Sequence, residues 1–157
     1  MQYDIINIMS ITSPTSRLVR FILYAWAAPA TAIGCCIAFC ALCLGATCRI
    51  VDGIIEVGGG RFATLVRLLP RVMRFEAITF GHMVLGLNHG VLETHRLHEH
   101  AHVRQYERWG FLFFPLYLAS SLTQLLHGRD PHHQNYFERQ AYQHAKSAMA
   151  DTYHGCY

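Results

Sequence analysis

His98-Glu99-His100-Ala101-His102 is the stretch that decides how this chain is read. It lies between the turn signal Asn88-His89-Gly90 and Gly110, within residues 91–109, whose pattern predicts a helix. On a helix, positions i and i+4 are separated by about 40°, so His98 and His102 share a face and can reach one metal ion. Glu99 projects beside them, where a carboxylate can take a proton from water held on that ion. His100 falls on the opposite side and is expected to be exposed or packed, with no catalytic role.

A catalytic zinc takes three protein ligands and keeps one position open. The expected cofactor is one Zn2+ per chain, and the third ligand has to come from elsewhere. Glu138 is the strongest candidate, because it lies in a second predicted helix that can fold back on the first. It has a competing role as the N3 residue of a capping box, with Asn135 as N-cap. His95, His132 and His133 are rival ligands. His95 shares nearly the same face as His98 and His102, but three donors in a row on one helix cannot surround an ion tetrahedrally, so His95 is expected to line the cleft instead.

Glu99 can be read as a surface carboxylate paired with Arg96 or Arg104. The flanking histidines favour general base. The expected chemistry is attack of metal-activated water on a peptide bond, with Glu99 passing the proton to the leaving amine. His144, Tyr142 and Tyr136 are candidate oxyanion donors. Asp130 and Asn135 are candidates to orient the ligands. Gln105, Tyr106 and Trp109 are expected to pack against the helix that carries Glu138.

The rest of the chain sets the context. Its 157 residues suit one domain, and only 15% are charged against a typical share of about 25%, which points to a membrane. The net charge of +3, carried by 12 Arg and one Lys, is too small and dispersed for a nucleic-acid protein. Membrane lipids are the better partner for the arginines. Five of the six Cys fall within residues 35–48 and only Cys156 lies outside, so they are no disulfide framework.

Residues 21–48 carry no charge between Arg20 and Arg49. As a helix they would measure about 42 Å, enough to cross a bilayer with tilt. A signal anchor is expected, since the run exceeds the apolar core of a cleaved leader. Arg49, Arg61 and Arg67 outnumber Arg17 and Arg20 around it, which favours a cytoplasmic C-terminal domain.

Asp52-Gly53 between β-branched residues predicts a hairpin over residues 49–60. Residues 61–75 place Arg67, Arg71 and Arg74 on one helical face, bent at Pro70, and suit a segment lying on the membrane surface. Residues 77–86 read as a strand leading into the metal helix, with a free edge that an extended peptide could pair with. Residues 111–126 are uncharged but short for a span, and read as core helix, re-entrant segment or second span. Residues 135–150 predict the last helix. The expected organisation is an N-terminal segment 1–20, a transmembrane helix 21–48 and a compact, mainly α domain with a small β element over 49–157.

His98-Glu99-x-x-His102 followed by Glu138-x-x-Ala141 resembles the gluzincin branch of zincin metallopeptidases, and most resembles the HtpX-like and prenyl-protein-protease-like membrane peptidases. The run from His98 to Gly110, with Phe114-Pro115 and residues 135–141, is also similar to a group of small bacterial membrane proteins. The resemblance covers about a third of the chain. It implies a zincin-like helical domain, a zinc held by His98, His102 and Glu138, Glu99 as general base, a peptide or protein substrate and a bacterial cell membrane. Tyr142 stands where the related membrane peptidases carry Asp, and the domain is very small. The readings of other classes are a non-enzymatic membrane protein that binds metal for structure, sensing or storage, and a membrane-anchored interaction module.

Overall fold

A computed structural model describes residues 17–70 and 73–154. The element order is α1 (Arg17–Cys43), β1 (Thr47–Val51), β2 (Ile54–Gly58), α2 (Phe62–Leu68), β3 (Ala77–Phe80), β4 (Met83–Gly86), α3 (His89–Trp109), a 3-10 turn at Gly110–Leu112, α4 (Phe113–Leu126) and α5 (Tyr136–His154). The chain is mainly helical around one four-stranded mixed sheet of order β1-β2-β4-β3.

Two hairpins build the sheet. In the first, Asp52 (φ 54°) and Gly53 (φ 81°) both take left-handed backbone, the turn that matches strand twist. The predicted strand over 77–86 is instead a second hairpin, folded at Gly81, whose φ of 58° breaks the run. β2 and β4 then pair in parallel at the centre. This corrects the expected free edge: β4, which leads into α3, is paired on both sides, and within this second hairpin the outer strand is β3, as β1 is at the other end of the sheet.

α3 lies across this sheet. Asn88 caps its first turn, its side chain accepting from the Val91 N–H at 2.9 Å. Gly110, with φ 57°, ends it. Leu92 is fully buried over Gly58 and Gly86, which face each other in register. A Cβ on Gly86 would sit 2.6 Å from the Leu92 side chain, so close approach of helix to sheet requires glycine there. Burial of one such leucine stabilises the fold by about 2 kcal/mol.

The same sheet-facing side of α3 is also fastened by charge. Glu56 on β2 is almost completely buried and accepts from Arg49 at 2.7 Å and Arg96 at 2.9 Å. Burial alone would raise its pKa, but the two guanidinium groups outweigh it and hold the carboxylate ionised. His100 lies 3.7 Å from Glu56 and is buried. Of the two places expected for His100, the structure selects packing.

α1 ends at Cys43, five residues before the expected limit at 48, because Gly45 (φ 83°) turns the chain and Thr47 opens β1. Ala27, Ala30, Gly34, Ala38 and Ala41 form its inward stripe. This lets the helix lie against β4, α3 and the residues around Gly110. Its large apolar side chains, among them Phe21, Ile22, Ile33 and Phe39, point outward and are exposed. Two helical stretches, Phe21–Cys43 and the continuous His89–Leu126, are long and apolar enough to cross a membrane by length and composition. Within the second, only residues 109–126 are free of charge, so α3 is read as lying outside any span.

α2 is shorter than expected: it stops at Leu68 before Pro70, and Arg71 lies outside the described residues. Phe62 and Val66 bury its inner face, while Leu65 and Leu68 stay exposed. α4 is no core helix. Phe113 alone is buried, and Phe114, Leu118, Leu122, Leu125 and Leu126 are all at least half exposed. Pro115 falls in its first turn, where its missing N–H costs nothing. The helix is about 21 Å long at 1.5 Å per residue, short of the roughly 30 Å apolar layer.

Candidate metal centre

α3 and α5 pack side by side and bring His98, His102 and Glu138 together. Their donor atoms all lie within 4.8 Å of one another. His98 Nε2 is 3.1 Å from His102 Nε2 and 3.1 Å from Glu138 Oε2, and His102 Nε2 is 3.4 Å from Glu138 Oε1. Bonds of about 2.0–2.1 Å at tetrahedral angles give ligand–ligand separations of about 3.3–3.4 Å, so these spacings fit a zinc-sized ion. The donor chemistry fits as well. Two imidazole nitrogens at 3.1 Å need a proton between them unless a cation takes its place. Glu138 Oε2 is buried and makes no well-formed hydrogen bond, although the His98 imidazole lies 3.1 Å from it.

Burial would raise the Glu138 pKa, but the imidazoles of His102 and His98 and the Tyr117 hydroxyl outweigh it, holding the carboxyl well below its usual range. Burial likewise lowers His102, yet the hydrogen bond to Glu138 and the charge of Glu99 leave its pKa raised overall. The pocket favours negative charge on Glu138 and positive charge opposite it.

Glu138 does not act as the capping box predicts. Asn135 caps α5 alone, accepting from the Phe137 N–H at 2.8 Å, and its own N–H goes to the His132 carbonyl at 3.0 Å. Asn135 is fully buried and its amide donates to the Tyr117 carbonyl and to Ser121 of α4. It therefore positions the start of α5, and Glu138 with it, against α4.

Glu99 is buried and is no surface ion pair. Thr79 on β3 donates to its Oε2 at 2.6 Å, while Arg96 is engaged by Glu56. Tyr142 packs its ring on His98 with centroids 4.5 Å apart. The other two oxyanion candidates are engaged elsewhere: His144 with Arg104 at 2.9 Å, and Tyr136 with Gln140 at 3.0 Å. His95 turns to the Val91 carbonyl and to Glu76. Asp130 accepts from the N–H groups of His132 and His133, shaping the loop before α5.

Sequence reasoning assigned Gln105 only a packing role and did not single out Tyr117, and these two groups position the candidate ligands. Gln105 Oε1 is 2.8 Å from His102 Nδ1, and the Gln105 amide donates to the Phe137 carbonyl at 3.0 Å. This fixes Nδ1 of His102 as the protonated nitrogen and frees Nε2 for a ligand's role. Its i+3 spacing from His102 was the available signal. Tyr117 on α4 donates to Glu138 Oε1 at 2.7 Å, and no local pattern announces it. Gln105→Ala or Tyr117→Phe is expected to weaken metal binding about 10- to 100-fold, as chelator competition would measure. Unchanged affinity in both would show that neither orients a ligand.

No family model, curated protein or solved structure matches the chain.

Proposed function

We propose that the protein is a membrane-anchored, zinc-dependent peptidase. The observation that supports this best is the convergence of His98, His102 and Glu138 beside a buried carboxylate, Glu99, that is not spent on an arginine. A zinc ion held by His98, His102 and Glu138 would supply Lewis acidity and lower the pKa of attacking water toward about 7.

The chain's own residues do the rest. Thr79 fixes the Glu99 carboxylate by a 2.6 Å hydrogen bond to Oε2, and Glu99 takes the proton from the attacking water and returns it to the leaving amine. β3, whose outer edge has no partner strand among the described residues, carries Thr79, so an extended peptide pairing along β3 is placed beside Glu99. Tyr142 lies on His98, where its hydroxyl can donate to the carbonyl oxygen under attack. Burial, with the charges of Glu138 and Glu99, raises the Tyr142 pKa and keeps it a donor. α1 anchors the site to the membrane, and the exposed apolar side of α4 meets the same lipid.

The test is peptide hydrolysis by zinc-loaded protein in detergent, over a broad set of fluorogenic peptides. Activity is expected to disappear with a chelator and return with zinc. A zinc-replete, folded protein that cleaves none of them would overturn the reading.

A further inference from the structure

We propose that His132 is a fourth metal ligand that closes the site in its resting state and is displaced when substrate enters. The inference rests on the His98/His102/Glu138 site argued above. His132 Nδ1 lies 3.5 Å from Glu138 Oε2, the buried oxygen with no well-formed hydrogen bond. His132 thus approaches the triad from the loop joining α4 to α5, a direction that neither α3 nor the body of α5 supplies.

That loop is held so as to present the ring. Asp130 Oδ1 accepts from the His132 N–H at 2.8 Å and the His133 N–H at 2.7 Å. The His132 carbonyl accepts from the Asn135 N–H at 3.0 Å, tying the residue to the buried cap of α5. The backbone N–H of His132 is therefore held within the loop, and its carbonyl is tied to the helix end that carries Glu138. The neighbouring His133 turns to Asp130 at 3.2 Å and is the more exposed of the two. Of the three histidines in this loop, His127 turns to the Thr123 carbonyl and His133 to Asp130, and His132 is the one aimed at the site.

His132 differs from the triad in ways that suit a removable ligand. Its side chain is 57% exposed, against 13% for His98 and 10% for His102. It touches the carboxylate and stands outside the cluster of three whose donors lie within 4.8 Å. A short swing of this exposed side chain would bring its nitrogen to a fourth ligand position, with no change in the helices. Four protein ligands make a closed site and three make an open one. In this chain the change between them is the position of one exposed imidazole. Binding of a peptide along β3 and over Tyr142 would compete with His132 for that position.

The experiment uses full-length protein in detergent, stripped of metal and loaded with Co2+. Wild type, His132→Ala and His133→Ala are compared by visible absorption, by X-ray absorption and by chelator competition. The expected wild-type site is four-coordinate with three imidazoles. In His132→Ala it has two imidazoles, a weaker and shifted cobalt absorption, and affinity lower by at least the roughly 10- to 100-fold typical of losing an orienting partner. His133→Ala should match wild type. Co2+ bound by all three proteins with the same spectrum, imidazole count and affinity would overturn the fourth ligand and leave the triad standing. Failure of folded wild type to bind Co2+ tightly would overturn both. His132 is exposed and on a loop, so its substitution should leave the thermal melt of the metal-free protein unchanged.

Discussion

Glu99→Gln is expected to keep the metal and to lose peptide hydrolysis by about 10²- to 10⁴-fold, the range that a positioned general base contributes. The substitution preserves shape. A glutamine can still accept from Thr79 Oγ1 through its carbonyl oxygen, so β3 and α3 should stay joined as they are at 2.6 Å in the wild type. What it removes is the ability to carry a proton. The proposed ligands His98, His102 and Glu138 are left intact, so metal content by elemental analysis should match wild type. The comparison separates two roles for one buried carboxylate. If Glu99 only braces the strand against the helix, the variant should hydrolyse peptides at the wild-type rate, and the proposed chemistry falls. If Glu99 is the base, kcat falls while zinc stoichiometry and melting temperature do not.

The parts of the molecule that depend on local spacing were legible in the sequence, and those that depend on what packs against what were not. His98 and His102 share a face because helical geometry puts them there, and the helix was readable from its pattern over 91–109 and its stop at Gly110, although the residues read as a turn at 88–90 supply its cap and first turn. Asp52-Gly53 predicted its hairpin, because a turn with two left-handed residues admits few sequences. Glu138 was named as a ligand candidate from its place in a second helix, although a carboxylate at N3 reads equally well as a cap. The choice between those roles is tertiary: Asn135 caps alone, and Glu138 faces the histidines.

His100 shows the limit from the other side. A helix is usually read as having one buried face, yet α3 is enclosed by the sheet, α1 and α5, so residues on opposite faces are both buried. The run 77–86 failed for a related reason. A β-rich stretch with a single internal glycine reads as a strand, and only the left-handed backbone at Gly81 folds it into a hairpin. Tyr117 was out of reach altogether, since its role comes from the contact between α4 and α5. That residues after Arg20 form a long apolar helix was legible from their lack of charge. Its limit at Cys43 was not, because uncharged Ala46, Thr47 and Cys48 serve a turn and a strand as readily as a span.

Glu138→Ala is expected to lose the tightly held zinc, with affinity down more than about 100-fold, beyond the effect of removing an orienting partner. Wild type should carry one zinc per chain after purification in detergent, and the variant less. The structure also sets a metal-free readout. Glu138 is held well below its ordinary value of 4.5, so its contribution to the metal-free fold is present above pH 4.5 and is lost as pH falls through the folded value. His102 is raised above its ordinary 6.5, so its share is present below pH 6.5 and is lost as pH rises through the folded value. Both shares are whole only between those two values. The melting temperature of metal-free wild type should therefore exceed that of Glu138→Ala most at pH 4.5–6.5, with the gap narrowing on either side. A gap that does not vary with pH would mean that Glu138 acts by packing, without its charge. Retention of one zinc at wild-type affinity would move the third ligand elsewhere. His132 is then the group to examine, because its Nδ1 at 3.5 Å from Glu138 is the nearest further imidazole described at that carboxylate.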